Sequence, residues 1–194
     1  MSFTSGAALT VEDCTIRDFG TQGINFAPST NAKLFVKNVT INNTAPSASA
    51  GSTNAGIQIR PTGTANAVVS INDTEITNNF FGIVADGSAT TGRIGGIVRD
   101  STVSGNKQNG ITASAGTAAN VTLIVDNVAV TNNGNNGLAA AGAVGGLLVA
   151  NSSIVNNGGG IHVATSGAVD SYGNNRLNGN NGNDGAFSST LATK

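Results

Sequence analysis

Asp73 and Asp100 are the two residues whose type and spacing come nearest to chemistry. They hold the same place in a repeated pattern, 27 residues apart. If successive repeats stack as neighbouring strands, the two carboxylates lie roughly 5 Å apart. That is near the separation of the two carboxyl groups in a retaining glycosidase. Like charges this close raise one pKa or attract a cation such as calcium. The same place in other repeats holds Asp13, Asn38, Asn127, Asn151 and Asn174. Asp and Asn both hydrogen-bond their own backbone and tolerate left-handed φ. A turn-forming role therefore accounts for the whole column, and Asp73 and Asp100 are expected to be structural. A metal site at this pair is the lesser alternative.

Other reactive side chains are isolated. His162 is the single histidine, between Ile161 and Val163. Strand alternation turns it to solvent, and a general base needs an orienting partner. Cys14 is alone, which excludes an internal disulfide and a cysteine-based zinc site; its place in the repeat reads as core. The arginines Arg17, Arg60, Arg93, Arg99 and Arg176 are scattered. No catalytic residue, metal or cofactor is expected. Nine Lys+Arg against ten Asp+Glu leave no basic stripe for nucleic acid or for an anionic membrane surface. With 39% apolar residues and a net charge of −1, the chain should fold. No apolar run approaches a membrane span and no secretory signal precedes the first strand.

The elements that must position these side chains are short strands. The recurring unit reads apolar, any residue, Asp/Asn, two residues, then Ile, Val or Leu. Two residues before the Asp/Asn anchors stand Val11, Val36, Ile71, Val98, Val125, Val149 and Tyr172. Three residues after them stand Ile16, Ile41, Ile76, Val103, Val130, Ile154 and Leu177. An Asn-rich turn follows, as in Asn78-Asn79 and Asn132-Asn133, and then a Gly followed by Ile or Leu, from Gly23-Ile24 to Gly160-Ile161. Two residues beyond that pair stand Phe26, Ile59, Ala85, Ala113, Ala140 and Val163. Within each segment the apolar residues alternate, which is strand periodicity. The pattern predicts an all-β, right-handed, single-stranded parallel β-helix of about six to seven coils, one domain over residues 1–194. Ladders of anchor asparagines and corner glycines are expected to hold the turns.

Two outward columns stand out. Three residues before the anchors lie Thr10, Phe35, Ser70, Ile97, Ile124 and Leu148. Of these, Phe35, Ile97, Ile124 and Leu148 form an apolar stripe expected to mediate self-association. Immediately before the anchors lie Glu12, Lys37, Asn72, Arg99 and Asp126, where Glu12/Lys37 and Arg99/Asp126 are expected to pair between coils.

These repeats resemble those of the bacterial right-handed parallel β-helix proteins of the pectin-lyase-like superfamily, over roughly Leu9 to Asn180. The resemblance implies the fold and a secreted or cell-surface setting. That superfamily's polygalacturonases carry Asn-Thr-Asp, Asp-Asp, Gly-His-Gly and Arg-Ile-Lys. Here Asn72-Asp73-Thr74 has the first in the wrong order and the other three are missing, so no catalytic role carries over. The coil around Phe3 lacks the N-terminal helix or extra coils usual in the superfamily, which reads as an uncapped end that would seek a second copy. Residues Thr44–Ala55 read as a surface insertion or as one wall of a ligand groove. The leading functional expectation is a non-catalytic structural or glycan-binding module. A polysaccharide lyase or glycoside hydrolase, and a truncated or engineered scaffold without activity, are the alternatives.

Overall fold

The computed structural model describes residues 1–45, 48, 54–116 and 119–192. All its regular elements are strands, and every pairing is parallel. Seven strands stack into one sheet: Ser2–Phe3, Ile24–Phe26, Ala55–Ile59, Phe81–Asp86, Ile111–Ser114, Asn136–Ala141 and Gly159–Ala164. The rest form a 13-stranded sheet that bends around the solenoid. One part of it is a face of longer strands, from Ala8–Arg17 and Ala32–Asn42 to Ala168–Ser171. The other is a face of three-residue strands, from Glu75–Thr77 to Arg176–Asn178. Ala32–Asn42 runs through the corner and pairs with strands on both faces. The expected all-β parallel β-helix is therefore the fold observed over the described residues.

The corners follow from backbone conformation. Asp13, Asn38, Asp73, Asp100, Asn127 and Asn151 all adopt left-handed φ, between 48° and 53°. Side chains other than Asn, Asp and Gly rarely enter that region. A second left-handed column lies five residues further on: Asp18, Asn43, Asn78, Gly105, Asn132, Asn156 and Gly179. It swings the chain from the short strands into the seven-stranded sheet.

Directly after this second column runs a file of buried side chains: Thr44, Asn79, Asn106, Asn133, Asn157 and the half-buried Asn180. Asn106 donates from its backbone N and its Nδ2 to Asn133 Oδ1, at 3.2 and 2.8 Å. Asn133 does the same to Asn157, and Asn157 to Asn180. Each Nδ2 also reaches a backbone carbonyl of the preceding coil, as Asn133 reaches Val103 at 3.1 Å. The file ends where Asn180 donates from N and Nδ2 to Asp184 Oδ1. These bonds, the backbone N–H first and the side-chain amide second, hold the Asp184 carboxyl below its ordinary value. The anchor column was expected to carry the ladder, but it makes separate pairs: Asn38 to Asp13, Asn127 to Asp100 and Asn174 to Asn151.

The Gly-Ile glycines serve close approach rather than unusual φ. A Cβ on Gly110 would lie 2.7 Å from Gly137 O and from Val130 Cγ1, and 2.9 Å from Asn133 Nδ2. The glycine lets the seven-stranded sheet close onto the short-strand core. That core comprises the expected columns, such as Ile41, Ile76, Val103, Val130 and Ile154, all without solvent exposure. Fully burying such a side chain contributes about 1.5–3 kcal/mol, against about 1 kcal/mol net for a typical hydrogen bond. The apolar columns therefore supply most of the stability, and the asparagine file fixes which coil meets which.

Four expectations need correction. In the last coil Val149 pairs with Ser171, not Tyr172. Gly173, at φ 86°, takes the left-handed turn there in place of Asn174 and absorbs one extra residue before the register resumes at Ile154–Leu177. Cys14 is exposed rather than core, because its strand Ala8–Arg17 has a paired neighbour, Ala32–Asn42, on one side only among the described strands. Val163 is 39% exposed for the same reason at the other end of the seven-stranded sheet. The pairs Glu12/Lys37 and Arg99/Asp126 are register neighbours without an ion pair between them among the described residues. Instead Arg99 Nε donates to Asn72 and lies 3.7 Å from Asp100, while Asp126 accepts from Asn151. Of the Thr44–Ala55 stretch, residues 46, 47 and 49–53 lie outside the described residues, and Thr44, Ala45 and Ala55 are buried.

Val130→Asp places a charge at a position with no exposure, and the variant should fail to reach the native fold by circular dichroism. Asn133→Ala strands the buried donors of Asn106 and should lower stability by about 1–3 kcal/mol for each group left unpaired, read by urea titration. The stabilisation from Asp184 is present at neutral pH. It should fade as pH falls through the ordinary carboxylate range and below, because the folded-state pKa is the lower one.

Candidate functional site

The register places Asp73 and Asp100 at equivalent corners of adjacent coils, since Asn72 pairs with Arg99 and Glu75 with Thr102. The two differ in surroundings. Asp100 accepts from Asn127 Nδ2 at 2.7 Å and lines a polar depression of about 310 Å³ with Thr102, Asn127 and Asn151, which Asp73 does not line. Among the described residues no group of three or more His, Cys, Asp or Glu converges. His162 is exposed beside Ala139 on the neighbouring strand.

The seven-stranded sheet builds a different site on its outer surface. Phe81, Val84, Asp86, Asn109, Thr112 and Ser114 line a groove of about 250 Å³ across neighbouring coils. Alternation should leave Val84 and Thr112 outside, where they pair in register, with Gln58 and Ala139 on either side. Yet Val84 and Gln58 are buried, so the groove is recessed. Phe81 is half-buried and stands edge-on to buried Phe80, with ring centroids 5.2 Å apart at 86°. Its orientation is therefore set by packing.

The polar groups of the groove are held by neighbours. Asp86 lies 3.1 Å from Arg60 Nε and accepts the backbone N–H of Ser88 at 2.8 Å. Asn109 Oδ1 accepts from the backbone N and the Nδ2 of Asn136, and its Nδ2 faces Thr112 Oγ1 at 3.3 Å. Further along the sheet, Gln22 Nε2 donates to Gln58 at 2.7 Å and to Asn54 at 3.1 Å. An aromatic ring, an aliphatic floor, fixed amides and hydroxyls are the groups that grip a polyol. Among the described residues Asp86 is the one carboxylate lining the groove, and both its oxygens are engaged.

Sequence reasoning missed Arg60, Phe81 and Asp86. The signal for two of them was present. Ile59 pairs with Ala85, so Arg60 and Asp86 are opposite charges at matching positions one coil apart, the same logic applied to Glu12 and Lys37.

A family model described as right handed beta helix region matches residues 1–181. No curated protein and no solved structure matches the chain.

If the Asp73–Asp100 column is structural, replacing both by asparagine keeps the turn chemistry. The double variant should melt at or above the parent temperature, and calcium should shift neither melt. A calcium-dependent rise in the parent that vanishes in the variant would assign a cation to this pair.

Proposed function

The chain belongs to the right-handed β-helix family, and from that premise we propose that it is a non-catalytic module binding extended glycans along the outer surface of its seven-stranded sheet. The observation that carries this reading is the groove itself: a packed Phe81, a Val84 floor and the amide and hydroxyl groups of Asn109, Thr112 and Ser114. The groove runs across neighbouring coils spaced about 4.8 Å apart, so an extended polymer lying along the solenoid would meet groups from more than one coil. Asp86 is paired with Arg60, so the groove presents no uncompensated charge, which supports neutral sugars.

A panel of neutral and acidic polysaccharides, followed by calorimetry and by assay of new reducing ends, tests the reading. Binding to a neutral glycan without chain cleavage is expected. Phe81→Ala should weaken it about tenfold, or about 1.4 kcal/mol, with a native circular dichroism spectrum and only a modest drop in melting temperature because the ring is half-buried. Cleavage products would favour a lyase or hydrolase instead, and no binding at all would leave a structural scaffold.

A further inference from the structure

The face of longer strands, away from the proposed glycan groove, carries an apolar stripe flanked by side chains of both charges, among them Lys37, Arg99 and Asp126. Thr10, Phe35, Ser70, Ile97, Ile124, Leu148 and Asp170 follow one another in register across it. Phe35 and Ile124 are exposed, and Ile97 and Leu148 are half-buried. Beside them Val68 is 52% exposed, the most open valine on the protein's described surface. Its row continues through Gly95, Thr122 and Gly146, where a Cβ on Gly146 would meet only Ala168 O, at 3.5 Å.

We infer that this face binds a second copy of the chain, face to face, about a two-fold axis that runs parallel to the strands between Arg93–Arg99 and Asn120–Asp126. Three ways of laying the face on itself can be compared by charge. An axis along the solenoid sets Lys37 against the partner's Lys33. An axis through Arg93–Arg99 sets Arg99 against the partner's Arg99. The axis between the two strands sets Arg99 against the partner's Asp126, and by symmetry does so twice. It also brings Ile97 onto the partner's Ile124 and seats Val68 over the partner's Gly146, where there is open space. Lys33 and Lys37 then flank the partner's Asp170. An isologous contact requires this kind of self-complementarity.

The area is sufficient. Six strands spaced about 4.8 Å apart, each contributing about 20 Å of length, cover roughly 30 by 20 Å on each copy. Two copies then bury about 1,200 Å² together, the lower end of specific interfaces. Interspersed charge sets the register and the apolar stripe supplies the contact.

Sedimentation velocity on the full chain should show a dimer that weakens with added salt. Arg99→Asp and Asp126→Arg should each weaken it at least about tenfold, because each places like charges across the axis. The double variant should restore it. Val68→Glu leaves both ion-pair partners in place and should also give monomer, with a circular dichroism melt like the parent's. A parent that stays monomeric at the highest attainable concentration overturns the inference. So does a dimer indifferent to the single charge reversals, or a double variant that does not recover. Glycan binding by Phe81 is read separately and is unaffected by any of these outcomes.

Discussion

Two series of corners in this protein turn polar backbone groups toward the interior, and those groups find their partners one coil away. At the corner after the short strands, the amide of Asn106 points at the carboxamide of Asn133, and that of Asn133 at Asn157. At the other corner Ser101 and Ser152 hydroxyls accept the amides of Thr74 and Val128. No single coil can satisfy these groups, and an unpaired buried donor costs more than a made bond contributes. Among the described residues every buried side-chain nitrogen and oxygen has a partner. Coil spacing, sheet register and the straightness of the apolar columns all depend on this requirement.

The same requirement explains what the sequence made legible. Left-handed φ favours Asn, Asp or Gly, so the anchors Asp13 to Asn151 stand out by residue type. The inward columns stand out because Ile and Val recur at a constant offset from those anchors. The exceptions lie where a coil deviates from the repeat. Gly173 inserts one residue, and an offset counted from Asn174 then selects Tyr172 where Ser171 is inward. Cys14 and Val163 occupy inward columns but sit in end strands, and column position carries no information on whether another strand follows. The buried asparagine file was visible as Asn-rich turns. Composition could not show that Asn79, Asn106 and Asn133 are interior while their neighbours Asn78 and Asn132 provide the turn.

The candidate groove was less legible because its residues belong to no conspicuous column. Asp86 is the residue after inward Ala85, and only the pairing of Ile59 with Ala85 brings Arg60 beside it. Phe81 acquires its role by standing on Phe80, a contact between chain neighbours that a period of one coil does not express. A repeat pattern describes what every coil shares. Recognition sites are built where individual coils differ, as the proposed glycan groove and the Arg99–Asp126 face both illustrate.

The asparagine file also gives the solenoid an electrical sense. From Asn79 to Asn157 each side-chain oxygen accepts from the preceding coil, and each backbone N–H donates to the side chain of the following one. The amide dipoles therefore add instead of cancelling, as peptide dipoles do along an α-helix. The donor end of that series carries fractional positive charge, and there the chain sets the carboxylate of Asp184. An ionised carboxylate at that end is therefore favoured by the last link of the file, the bonds from Asn180 that hold Asp184 below its ordinary value.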